Sequence, residues 1–272
     1  MKIVYLGDLV GRAGRKIVAE KLPEIQEKLK PDAIVVNGEN AAAGFGITEK
    51  IAKELFELGI DVISTGNHVW DQKDTKRYIN TEPRMIRPIN YPEGTPGKGA
   101  VLVEDKRGRG ILVINVMGRI FMDPLDDPFK AVNNELKKHQ LGATVKFILV
   151  DIHAEATSEK MAMGQFLDGR ASLVVGTHSH IPTADAQIFD GGTAYQTDAG
   201  MCGDYNSVIG MDKVEPINRF TKKLRGDRFS PALGDGTLCG VFVETDDKTG
   251  LAKRIEPIRM GARLKETFPS IS

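Results

Sequence analysis

The sequence predicts an α/β protein with mixed sheets. Short apolar runs alternate with segments of helical spacing at the start of the chain, and each run ends in a polar cluster. A later pair of runs, joined across a basic turn, reads as antiparallel.

Ile3 to Leu6 is the first buried-strand signal, bounded by Gly7-Asp8. Gly11 and Gly14 predict a loosened loop, after which Ile17, Val18, Leu22, Ile25 and Leu29 recur at helical spacing until Pro31-Asp32. Ala33 to Val36 is the second strand, ending at Asn37-Gly38-Glu39-Asn40. A small-residue loop, Ala41 to Gly46, precedes a helix opened by Thr48-Glu49 and closed by Gly59. Ile60 to Ile63 is a third strand, running into Ser64-Thr65-Gly66-Asn67-His68.

From Asn80 to Lys98 the chain is rich in Pro and Gly and without period, which marks a flap. Gly99 to Val103 and Ile111 to Val116 form the antiparallel pair, and Asp126-Asp127-Pro128 opens a helix reaching about His139. Val145 to Val150 is a strand ending at Asp151-Ile152-His153, followed by a helix from Ser158 to Phe166. Ala171 to Val175 feeds Gly176-Thr177-His178-Ser179-His180. Short strands Ala186 to Phe189 and Thr193 to Gln196 flank a tight turn. A Gly-rich loop (200–210), a helix near Pro216 to Leu224 and a final β pair, Thr237 to Glu244 with Ala252 to Ile258, complete one domain spanning residues 1–272.

Composition narrows the function. Lys plus Arg number 37, as do Asp plus Glu, so the formal net charge is zero and bulk electrostatic attachment to nucleic acid is not indicated. A small nucleotide in a local site remains compatible with that balance. Cys202 and Cys239 form no CxxC, so neither a disulfide framework nor a zinc knuckle is signalled. The N-terminus meets a turn too early for a signal peptide, and no apolar run approaches membrane-spanning length. The expectation is a soluble, cytoplasmic protein, with a homo-oligomer suggested only by how common such assemblies are.

The polar groups at the strand ends carry the chemistry. Taken singly, Asp8 reads as a turn residue, Asn67-His68 as a capped loop and His153 as a satisfied core histidine. Together, Asp8, Glu39, Asn40, Asn67, His68, His153, His178 and His180 put four of the five histidines at strand ends. In an open α/β sheet those ends converge on one crevice. Carboxylate, amide oxygen and imidazole without thiolate suit Mn, Fe, Zn or Mg. Eight groups exceed the needs of one ion, whereas two ions about 3.5–4 Å apart with a bridging carboxylate would use them.

Gly66-Asn67-His68, Gly176-x-His178-x-His180 and the early Gly7-Asp8 resemble the calcineurin-type metallophosphoesterases. The resemblance to their YmdB-like branch runs along nearly the whole chain. It includes Gly7-Asp8-Leu9-Val10-Gly11, Asn37 to Gly44, Thr65 to Trp70 and His153 to Lys160. Two departures from the wider group stand out: Asp8-Leu9-Val10 lacks the usual histidine, and Glu39 replaces the usual bridging aspartate. The resemblance implies an α/β/β/α sandwich of two mixed sheets. It implies one ion on Asp8, Glu39, Asn40 and His180 and another on Glu39, Asn67, His153 and His178, with Fe or Mn as the metals. It also implies hydrolysis of 2′,3′-cyclic nucleotides to 3′-nucleotides.

The mechanism expected from this is in-line attack by a hydroxide held between the ions. His68 would stabilise the phosphoryl group or protonate the leaving alkoxide. Rival readings are a phosphomonoesterase, a nuclease acting on RNA ends, and a nucleotide sensor of slow turnover.

Overall fold

A computed structural model describes residues 1–223 and 226–270. In chain order the elements begin with β1 (Lys2–Leu6), β2 (Asp8–Leu9), α1 (Gly11–Leu29), β3 (Ala33–Asn37), α2 (Glu49–Glu57), β4 (Val62–Ser64) and α3 (Thr75–Tyr78). The middle of the chain supplies β5 (Ala100–Glu104), β6 (Gly110–Met117), α4 (Pro128–Leu136), β7 (Phe147–His153), α5 (Thr157–Phe166) and β8 (Leu173–Thr177). The remainder comprises β9 (Gln187–Ile188), β10 (Ala194–Gln196), β11 (Met201–Cys202), α6 (Val214–Lys222), β12 (Thr237–Thr245) and β13 (Ala252–Gly261).

Two large sheets form. One has the order β13-β12-β1-β3-β4, with β1, β3 and β4 parallel and β12 antiparallel to both of its neighbours. The other has the order β5-β6-β7-β8-β10-β9, parallel at its centre and antiparallel at both edges. The mixed sheets expected from sequence are therefore observed.

Three apolar layers explain the stacking. Val4, Leu6, Ile34 and Val36 face α1 and α2 together with Leu22, Ile25 and Leu55. Their alternates Ile3, Tyr5 and Val35 meet Phe147, Leu149, Leu173 and Val175 between the sheets. On the far side, Ile148, Val150 and Val174 pack with Val132 of α4 and Met163 of α5. The order is α/β/β/α, and the central strands are buried on both faces, which is why they read as unbroken apolar runs.

Several expectations need correction. The loop expected around Gly11 and Gly14 is the first turn of α1. A side chain at Gly14 would overlap the Cys202 carbonyl, so the glycine serves helix-to-strand contact rather than flexibility. β7 does not stop at Val150 but continues to His153, because β6 and β8 pair with it to the end. Part of the Gly-rich loop is β11, which pairs with β2. The end expected for the last helix, Leu224, lies outside the described residues.

The irregular stretch 80–98 is pinned at its middle. Met85, Ile86, Arg87 and Asn90 are buried, Ile86 N donates to Ile63 O at 2.9 Å, and Ile89 N donates to Asn115 O at 2.8 Å. That middle part is built in between the two sheets. Among the described residues no helix is long and apolar enough to cross a membrane.

Candidate metal centre

The two-residue period of the strands decides what reaches the site. Asn37 continues the inter-sheet face of Ala33 and Val35, and Ser64 that of Val62. Asp151 and His153 continue the face of Phe147 and Leu149, and Thr177 that of Leu173 and Val175. Polar side chains thus replace apolar ones at one end of the inter-sheet layer. Burial demands that each be satisfied there.

Asp151 is the hub of this buried patch. Its Oδ2 accepts from Ser64 Oγ at 2.6 Å and Asn37 Nδ2 at 3.1 Å, and its Oδ1 from Thr177 Oγ at 2.7 Å. Burial pushes its pKa up, against the charge of His153 and these hydrogen bonds. Thr177, having given its proton to Asp151, accepts from His153 Nδ1 at 2.8 Å. That chain fixes the ring so that Nε2 turns to the opposite side.

Around His153 Nε2 the other groups gather. Asn67 Oδ1 lies at 2.8 Å, Glu39 Oε1 at 3.1 Å and His178 Nδ1 at 3.1 Å. His178 Nε2 in turn faces Glu155 Oε2 at 3.2 Å. On the other side of Glu39 stand Asp8 and His180, with Asp8 Oδ1 3.9 Å from His180 Nε2. The ligand atoms of Glu39, His153 and His178 lie within 4.8 Å of one another, as do those of Asp8, Glu39 and His180. Glu39 belongs to both groups. Asn40 Nδ2 donates to Gly44 O at 2.9 Å, which leaves its Oδ1 buried without a donor; Asp8 Oδ1 is in the same state.

Buried oxygens without donors, beside ring nitrogens already turned toward them, are what a cation-binding cavity requires. The titration behaviour of the cluster follows from the same crowding. Burial raises Asp8 to about 7, although His180 and His153 oppose it. Burial would also raise Glu39, but the neighbouring His153 charge and hydrogen bond hold it at about 2. Burial would lower His153, yet Glu39 and Asp8 lift it to about 9. Burial and the His153 charge push His178 down to about 3. The cluster favours positive charge at its centre and keeps one imidazole neutral.

The loop carrying the paired histidines is strained. His178 (φ 95°) and His180 (φ 65°) both adopt the left-handed backbone region, which costs of order 1–3 kcal/mol for a residue other than glycine. The strain aims both rings inward, and His178 N donates to Asp8 Oδ2 at 3.2 Å. Gly66 is needed for another reason. A Cβ there would overlap Glu39 Oε2 and the His153 ring, so the backbone passes directly against the cluster.

His68 stands at the rim. Its backbone N–H donates to Glu39 Oε2 at 3.1 Å, its Nδ1 pairs with Asp71 Oδ2 at 2.8 Å, and its ring meets Phe45 edge-on at 5.0 Å. All eight residues singled out from sequence therefore meet at one end of the sandwich. Glu155, read from sequence as ordering the loop after His153, lies against His178. Asp151, Thr177, Lys160, Asp198 and Asp71 were given no role: each lies inside an apolar run, within a motif whose other residues drew the reading, or outside any motif. Trp70 packs against the core and Tyr91, and Arg15 donates to the Ala41 carbonyl, so neither enters the site.

Known proteins match this chain over nearly its whole length. The sequence profile of the YmdB-like protein family matches residues 4–258. A 2′,3′-cyclic-nucleotide 2′-phosphodiesterase of Bacillus subtilis (strain 168) is 47% identical over 258 residues, covering 95% of this chain and 96% of that one. A crystal structure of a hypothetical protein from Thermus thermophilus superposes with a TM-score of 0.89 at 41% identity, covering 97% of this chain and all of the other. A crystal structure described as a novel phosphatase, from Mycoplasma pneumoniae, gives a TM-score of 0.89 at 34% identity, over 96% and 93% of the two chains. With matches of this extent, the chain belongs to the YmdB-like protein family.

Proposed function

We propose that this chain is a metal-dependent phosphodiesterase of small phosphodiesters, opening 2′,3′-cyclic nucleotides at the 2′ bond to give 3′-nucleotides. The observation that carries the reading is the position of Glu39, shared between two groups of buried oxygen and imidazole ligands. The activity named for the Bacillus subtilis relative supports the substrate class.

Asp8, Glu39, Asn40 and His180 would hold one divalent ion, and Glu39, Asn67, His153 and His178 the other. The resemblance to the YmdB-like branch points to Fe or Mn; the mix of imidazole and carboxylate itself suits Zn as well, and Mg would make poor use of the nitrogens. When bound, such a pair supplies Lewis acidity and an ionised water near neutral pH.

The protein's own contribution is positional and electrostatic. Asp151 and Thr177 orient the His153 ring, and Glu155 steadies His178. His68, with Nδ1 held by Asp71, presents Nε2 to the substrate. There it can donate a hydrogen bond to a phosphoryl oxygen or a proton to the departing 2′ oxygen. The rim between Phe45 and His68 offers an apolar edge to the ribose or base. We place the enzyme in the cytoplasm.

The deciding experiment is turnover of 2′,3′-cAMP, 3′,5′-cAMP and p-nitrophenyl phosphate by Mn²⁺-loaded protein. Preference for 2′,3′-cAMP with 3′-AMP as product is expected. Preference for the monoester, or binding of the cyclic nucleotide without turnover, would overturn the reading.

A further inference from the structure

A buried ion pair lies behind the paired histidines and belongs to neither ligand group. Lys160 Nζ and Asp198 Oδ2 are 2.8 Å apart, with side-chain exposures of 1% and 0%. Lys160 comes from the first half of α5 and Asp198 from the turn after β10, so the pair ties two elements to the loop between β8 and β9. Asp198 is saturated on that side. Its Oδ2 also accepts from Ser179 N at 3.1 Å and Ser179 Oγ at 2.7 Å, while its Oδ1 accepts from Gly200 N at 2.8 Å.

Ser179 is the residue between His178 and His180, the two that adopt left-handed backbone. Strained conformations persist only where surroundings over-determine them. Here the surroundings are specific. Ala199 N donates to Gly176 O at 2.9 Å and Met201 N to His180 O at 3.1 Å, so residues 199–201 run alongside the histidine loop. The Asp198 carboxylate reaches across to the backbone N–H and hydroxyl of Ser179, the residue between the histidines. Gly176 leaves room for the Lys160 stem and the Thr197 carbonyl, both of which a side chain there would strike.

A carboxylate so deeply buried is tolerable only beside its cation, and an ion pair in such a place is poor value as stabilisation alone. Apolar replacements of similar volume often leave stability unchanged, whereas losing one partner leaves an uncompensated charge. The feature that an apolar pair could not reproduce is the grip on Ser179.

We propose that Lys160 and Asp198 are positioning residues of the metal centre: Asp198 clamps Ser179 so that His178 and His180 each face their own ion, and Lys160 neutralises that clamp. The inference rests on the two-ion reading above and deepens it.

The test is a Mn²⁺ titration of the full chain by calorimetry and EPR, with thermal unfolding of the same samples. The variants are Asp198→Asn, Lys160→Met, the double variant and Ser179→Ala. Wild type takes two Mn²⁺ with the spin-coupled signal of a close pair. The double variant, with no charge left unpaired, melts near wild type, yet binds Mn²⁺ about 10–100-fold more weakly and loses the coupled signal. Each single charge variant melts lower than the double.

A double variant with wild-type Mn²⁺ affinity and coupled spectrum would overturn the proposal and leave the pair a structural element. Should the double variant fail to fold, Ser179→Ala decides, since it removes only the Oγ contact from a half-buried loop. Unchanged affinity there overturns the proposal, and a several-fold loss supports it. Wild type that takes up no Mn²⁺ would instead overturn the metal-centre reading itself.

Discussion

Glu39 Oε1 stands 3.1 Å from His153 Nε2, and both side chains are shut off from solvent. The two residues lie at the ends of strands of different sheets, β3 and β7, so their meeting depends on how the sheets stack. Every expectation about the chemistry passes through this contact, because Glu39 is the member common to both ligand groups.

Glu39→Gln keeps the shape and removes the charge. On the two-ion reading the expected result is joint loss of metal and activity, with loading and turnover each down by at least about 100-fold, since Glu39 would serve both ions. Elemental analysis alongside turnover checks it. Full loading with normal turnover would exclude Glu39 as a ligand.

His68→Ala separates catalysis from binding. Metal content should stay at the wild-type value while kcat falls roughly 10²–10⁴-fold. Asp71→Asn, which weakens the 2.8 Å contact to Nδ1, should lower kcat less than the alanine variant does. Parallel loss of metal would move His68 from the reaction to the support of Asn67.

Metal uptake should release protons and strengthen as pH rises. Asp8, raised to about 7 by burial, and His153, raised to about 9 by Glu39 and Asp8 against burial, must both lose a proton to become ligands. Glu39, at about 2, and His178, at about 3, have already done so near neutrality. Below pH 7 both protons compete with metal, and above pH 9 neither does. Calorimetry at pH 6 in buffers of different ionisation enthalpy should therefore find net proton release on metal loading, falling as the pH is raised. Release of none would contradict the assigned ligands.

Gly66→Ala should damage the site more than the fold. The added methyl overlaps Glu39 and His153 directly, and such overpacking costs about 1–3 kcal/mol. Far-UV circular dichroism should remain native while metal uptake fails. Retained uptake would show that the cluster can shift to make room.

The sequence announced the site through residue types that have little reason to occur together. A strand that runs straight into His-x-His, and another into Asn-Gly-Glu-Asn, advertises ligands, because apolar runs in α/β proteins end where crevices form. The supports behind those ligands were not legible. Asp151 sits at the end of an apolar strand and reads as its terminus, and only the facing Ser64 and Asn37 make it a hub. Lys160 looks like a solvent-facing helix residue until α5 is packed and its ammonium meets Asp198. The glycines of α1 misled for the same reason. Glycine in sequence signals freedom, whereas here it signals that the Cys202 backbone lies against the helix. The stretch 80–98 carries no period because it crosses from one sheet to the other, held by isolated hydrogen bonds instead of a ladder.

The strands that deliver the ligands have no solvent face, since apolar side chains cover them above and below. Among the described residues β1, β3, β7 and β8 are interior strands, and β4, the edge strand that leads to Asn67, is held on its open side by the Ile63–Met85 bridge. Warming should therefore show no partly active species. Catalytic competence and the cooperative melt of the whole molecule should vanish together, and any earlier inactivation would trace to ion loss rather than to a loosened backbone.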